Sequence, residues 1–220
     1  MTMRIAVALS GRGSNFEALL RALGPGAPAE VVLVLSDRAA PGLAYARERA
    51  IPTEVLQRPE EDAEWLQLLR RYEVQLVVLA GYVKLVPGAV VSAYRNRIIN
   101  IHPALLPDFG GKGMYGRRVH EAVLASGARE SGATVHLVDE QYDRGPVLAQ
   151  ARVPVLPGDT PDRLAQRVLE LEHQLLAAVV LAAARAGRAV PLESGVRSQE
   201  SGTSSGLEPL PAPDSQLPTR

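Results

Sequence analysis

Asn100 and His102 close an otherwise apolar run, Ile98 to Ile101, and Pro103 follows at once. Side chains two apart on a strand point to the same side, so an amide and an imidazole would stand together there. Such a pair can steady a developing oxyanion and move a proton near neutral pH. Polar groups on an apolar strand are costly unless satisfied, although a hydrogen-bonded structural histidine fits the same pattern. A second cluster, Ser10, Gly11, Arg12, Gly13, Ser14 and Asn15, lies between the apolar run Ile5 to Leu9 and a stretch with Phe16, Leu19, Leu20 and Leu23 at helical spacing. Glycines there let the amides of a helix N-terminus approach an anion. The turn lacks the third glycine of a dinucleotide fingerprint and the Lys-Ser/Thr of a P-loop, so it suits a monophosphate better; a plain tight turn is the other reading.

The remaining polar motifs carry weaker signals. His136 falls within a strand, and His120 and His173 fall on helices. The histidines are scattered, with no carboxylate at ligand spacing, so no metal site is expected. Asp139 to Pro146 reads as a solvated acidic turn, Ala80 to Val86 as a loop that lines a cleft or, the better fit, packs into the core, and Glu172 as one of the charges a helix exposes.

The elements that must hold these residues follow from hydrophobic patterning. Ile5 to Leu9, Val31 to Leu35 and Leu76 to Ala80 are apolar without alternation, and helical stretches at Asn15 to Leu23, Gly42 to Ala50 and Glu60 to Tyr72 accompany them. A parallel sheet covered on both faces demands that pattern. Ile98 to Ile101 adds a strand, and Thr134 to Val138 and Val147 to Val155 are joined by a turn too short for a crossover. Thr160 and Pro161 are an N-cap and first residue for a helix reaching about Ala186. The expected fold class is α/β: a Rossmann-like, open, mostly parallel twisted sheet, mixed at one end, with helices on both faces. Ligands bind such sheets at the carboxyl ends of the strands.

The chain is long enough for one large core, expected as a single domain over residues 1–192. From Glu193 onward Ser, Gly, Pro and Gln replace aliphatics, and residues 193–220 are expected to be disordered. A formal net charge of zero provides no bulk field for nucleic acid or an anionic membrane. Cysteine is absent, which excludes disulfides and a thiolate nucleophile and suits the cytoplasm. The longest apolar run, around Leu175 to Ala184, falls well short of a bilayer span, so a soluble protein is expected.

Five segments, SGRGSN, AGYVKLV, NIHPALLP, GATVHLVDEQYDRGP and PVLPGDTPDRLAQRVLELEH, resemble in order and spacing the phosphoribosylglycinamide formyltransferases. The likeness runs from about Arg4 to Gly187. It implies transfer of a formyl group from 10-formyltetrahydrofolate, a co-substrate, to the amine of phosphoribosylglycinamide in purine biosynthesis, without a metal. By the same resemblance the catalytic residues are Asn100, His102 and Asp143. Gly13, Ser14, Asn15 and Glu172 contact the phosphorylated substrate, and Arg58, Val83, Lys84, Leu85, Val86 and Asn100 contact the folate. The partners implied are small molecules, not nucleic acid or membrane, with monomer and homodimer both open. The sequence departs from the commoner family pattern at Asp108 to Gly116, where a longer glycine-rich loop replaces a short Phe-Pro-Gly turn.

Four other readings compete. A formyltetrahydrofolate hydrolase or a methionyl-tRNA formyltransferase would use a similar trio, but each usually carries a further domain for which the chain has no room. A nucleotide-binding module would place a ribose on Asp37, at the end of the second strand. A phosphosugar sensor would bind without turnover.

Overall fold

The structure is a computed structural model that describes residues 2–192; Met1 and the segment 193–220, on which the expectation of disorder falls, lie outside the described residues. Strands β1 (Met3–Leu9), β2 (Ala29–Ser36), β3 (Thr53–Val55), β4 (Leu76–Leu79), β5 (Ile98–His102), β6 (Glu130–Leu137) and β7 (Val147–Pro154) form one sheet in the order β3-β2-β1-β4-β5-β6-β7. Neighbours from β3 through β5 are parallel, while β6 runs antiparallel to β5 and β7 antiparallel to β6. This is the expected open sheet, mixed at one end. Its strand order reverses beside β1, where β2 lies on one flank and β4 on the other, the place where open sheets of this kind bind ligands.

Helices α1 (Ser14–Ala22), α2 (Gly42–Arg47), α5 (Arg117–Ala125) and α6 (Pro161–Ala186) cover one face, and α3 (Asp62–Arg71) and α4 (Gly88–Ala93) the other. Because strand side chains alternate, β1 feeds both layers. Ile5, Val7 and Leu9 join the core containing Phe16 of α1 and Leu175 and Val179 of α6, whereas Ala6 and Ala8 face the core around Trp65 and Leu69 of α3. The small alanines leave room for the Trp65 ring, which meets Tyr82 edge-on at 5.5 Å between centroids. Thr160 caps α6 by accepting from Arg163 N–H at 3.3 Å, and Gly187 in left-handed geometry ends it. The short β3, α4 and α5 were not delimited by hydrophobic spacing, since each offers few apolar residues to set a period.

Candidate functional site

The same alternation that builds the two cores aims the site. In β5, Ile99 and Ile101 enter the α6 layer and Ile98 the α3 layer. Asn100 and His102 share the parity of Ile98, but they stand beyond the helices and line a cavity of about 720 Å³ instead. The turn after β1 forms one end of that cavity. Gly13, at φ 82°, is the N-cap of α1, and no side chain caps the helix, so its first N–H groups remain open to a ligand. A Cβ on Gly13 would lie 3.2 Å from Gly42 Cα, so only glycine suits both the angle and the approach.

Asp143 reaches the site from the loop joining β6 and β7. Its backbone is left-handed at φ 56°, and its side chain is 10% exposed, so the acidic turn is not simply solvated. The Asn100 amide nitrogen lies 3.3 Å from Asp143 Oδ1 and 3.1 Å from His136 Nε2. Gly111 N–H donates to Asp143 Oδ2 at 2.8 Å, and His102 Nδ1 stands 3.7 Å from the same oxygen. The acceptors fix the tautomers. Phe109 O, 2.8 Å from His102 Nε2, puts a proton on that nitrogen, and Leu137 O, 2.7 Å from His136 Nδ1, puts one there. The Asn100 amide nitrogen is thus held between the Asp143 carboxylate and the His136 ring.

Burial of the His102 ring outweighs the raising effect of the Asp143 carboxylate and holds its pKa below the ordinary histidine value. Burial also opposes ionisation of Asp143, but its contacts with His136, His102 and Gly111 N–H prevail and keep its pKa low. At the phosphate end, Glu172 is buried and accepts from Asn15 Nδ2 at 3.0 Å. Burial pushes its carboxyl up to about 7 against that hydrogen bond. Asn15 Oδ1 is buried in the same wall without a protein partner, an acceptor for a ligand hydroxyl.

Comparison with known proteins fits this arrangement. Residues 3–180 match the family described as formyl transferase. The chain belongs to the formyl transferase family. It is 47% identical over 186 residues to the chloroplastic phosphoribosylglycinamide formyltransferase of Arabidopsis thaliana, covering 80% of this chain and 64% of that protein. The chain thus spans less than two thirds of that plant relative. It is 37% identical to the phosphoribosylglycinamide formyltransferase of Escherichia coli K12, covering 81% of this chain and 85% of the other. The crystal structure of phosphoribosylglycinamide formyltransferase from Anaplasma phagocytophilum superposes with a TM-score of 0.78 at 38% identity, covering 84% of this chain and 88% of that one.

The residues singled out from sequence divide by position. Asn100, His102 and Asp143 converge, and Ser14, Asn15 and Glu172 line the same cavity as Val83, Lys84, Leu85 and Val86. The loop Ala80 to Val86 therefore does both jobs: Tyr82 and Val86 are buried in the core, while the stretch walls the cavity. Glu172, taken from spacing as an exposed helix charge, is buried because α6 presses that face against α1. Arg58 is not brought in; it is exposed and pairs with Glu61 at 2.8 Å. Asp37 holds no open position for a ribose either, since its side chain is 1% exposed and tied to Arg38. His136 and His120 were undervalued. Register would have found the first, because His136 pairs directly with Asn100 across β5 and β6. His120 lies in the cavity wall with Nδ1 unpartnered, and nothing in its spacing on α5 announces that.

The glycine-rich loop after Pro107 packs over the trio, with Phe109 O on His102 and Gly111 N–H on Asp143. Among the described residues no helix is long and apolar enough to cross a membrane.

Proposed function

We propose that the protein transfers the formyl group of 10-formyltetrahydrofolate to the primary amine of phosphoribosylglycinamide, in purine biosynthesis, with Asn100, His102 and Asp143 at the reacting carbon. The observation that supports this most is the meeting of an amide, two imidazoles and one ionised carboxylate beside an uncapped helix N-terminus, within a single cavity. The phosphate would sit on the amides of Ser14 and Asn15, with the ribose hydroxyls toward Asn15 Oδ1 and Glu172. The folate would lie along Val83, Lys84, Leu85 and Val86 at the other end. Arg58, outside the cavity, has no part in it.

The attacking nitrogen belongs to the substrate, so no protein nucleophile is required. Its attack forms the new C–N bond and places negative charge on the formyl oxygen. An N–H from His102, released by Phe109 O, or from Asn100, released by His136, would stabilise that charge by about 3 kcal/mol. The amine must shed a proton and the folate nitrogen must gain one as the old C–N bond breaks. Asp143, held ionised, is the acceptor placed to relay it.

The test is an absorbance assay of purified protein with both substrates and with each omitted in turn. Formyl transfer only when both are present is the expected result. Folate turnover without the glycinamide would assign the chain to hydrolysis, and no turnover in either case would overturn the proposal. With this activity go a single functional unit over residues 1–192, assayable by truncation after Leu192, and a cytoplasmic location, assayable by fractionation. The chloroplastic label belongs to the plant relative.

A further inference from the structure

Ser10 has no place in the chemistry above, yet it follows β1 and ties it to the loop after β4 through both its backbone and its hydroxyl. Its backbone N–H donates to Gly81 O at 3.0 Å, and its hydroxyl oxygen accepts Val83 N–H at 3.1 Å.

That contact carries unusual weight. Among the described residues, Val83 N–H to Ser10 Oγ is the one hydrogen bond that holds the backbone between Tyr82 and Val86. The same stretch walls the folate end of the cavity, and Ser10 immediately precedes the turn at its phosphate end. We propose that Ser10 is a positioning residue for the folate co-substrate: it acts through Val83 and sets the folate wall against the phosphate turn. This rests on the activity proposed above.

The experiment compares wild type with Ser10→Ala and Ser10→Thr in steady-state kinetics for both substrates, and in amide hydrogen exchange. Ser10→Ala is expected to raise KM for 10-formyltetrahydrofolate about five- to tenfold, the scale of one lost hydrogen bond. KM for phosphoribosylglycinamide and kcat should stay within about twofold. Ser10→Thr, which keeps the acceptor oxygen, should restore most of the folate affinity. Exchange at Val83 should accelerate in Ser10→Ala with Leu69 in α3 unchanged. A folate KM that does not move, an equal rise in both KM values, or unaltered Val83 exchange overturns the proposal. Failure of the wild type to transfer formyl would sink the activity instead, and Val83 exchange would still report on the anchor.

Discussion

Glu172→Gln examines the electrostatics of the phosphate end. The folded protein raises this carboxyl from the 4.5 of a free glutamate to about 7 because burial penalises the charge. A group that binds its proton more tightly when folded contributes stability that is fully present below its unfolded pKa. That stability is lost as pH rises through the folded value. Between pH 4.5 and 7 the wild type therefore gives up about 3 kcal/mol, and above 7 it carries a buried carboxylate at that constant cost. Glutamine keeps the volume and can still accept from Asn15 Nδ2, but it never ionises. The variant should match the wild type near pH 5, gain on it as pH rises, and level off about 3 kcal/mol more stable by pH 8. Urea unfolding at pH 5, 6, 7 and 8, followed by the fluorescence of Trp65, the one tryptophan and fully buried, measures the difference directly. Other titrating groups are common to both proteins and cancel. A stability difference that stays flat from pH 5 to 8, or a less stable variant at pH 8, would refute the assignment of a buried, unbalanced charge. Affinity for phosphoribosylglycinamide should fall while stability rises, since the contact to the ribose is weakened.

Other outcomes are equally specific. His102→Ala and Asp143→Asn should each lower kcat by about 10² or more while binding of the phosphorylated substrate, read by calorimetry, is nearly unchanged. Wild-type turnover in either would remove that residue from the chemistry. Gly13→Val forces a branched side chain onto Gly42 Cα and Leu9 and a left-handed backbone, so KM for the phosphorylated substrate should rise far more than KM for the folate. Equal losses would give the turn another role. A Cβ on Gly110 would lie 2.5 Å from Leu106 Cδ2 and 3.1 Å from Asp143 Cβ, so Gly110→Ala should lower kcat at least about tenfold by displacing the carboxylate. Unchanged kcat would show that the loop yields without moving Asp143.

The elements were legible wherever the pattern was long or the punctuation firm. Unalternated runs such as Ile5 to Leu9 and Leu76 to Leu79 require cover on both faces, and β1 and β4 have it. Thr160 and Pro161 marked the start of α6 because caps are local chemistry. The pairing of Asn100 with His102 followed from strand alternation alone. Spacing missed β3, α4 and α5, which are held by neighbours more than by their own residues.

What the sequence determined by itself was therefore the class of fold, the βα turn at Gly13 and the side to which β5 points its polar pair, all consequences of interactions within a few residues. Only the tertiary structure decided that the acidic turn sends Asp143 inward, that Glu172 is buried beside Asn15, that His136 orients Asn100, and that Arg58 stays outside. Those facts join residues 36, 43 or 157 positions apart, as in Asn100 with His136, Asn100 with Asp143, and Asn15 with Glu172. Burial and hydrogen bonding at such separations depend on how layers pack, and they set ionisation as well: desolvation, invisible in a string of residues, outweighed the carboxylate beside His102.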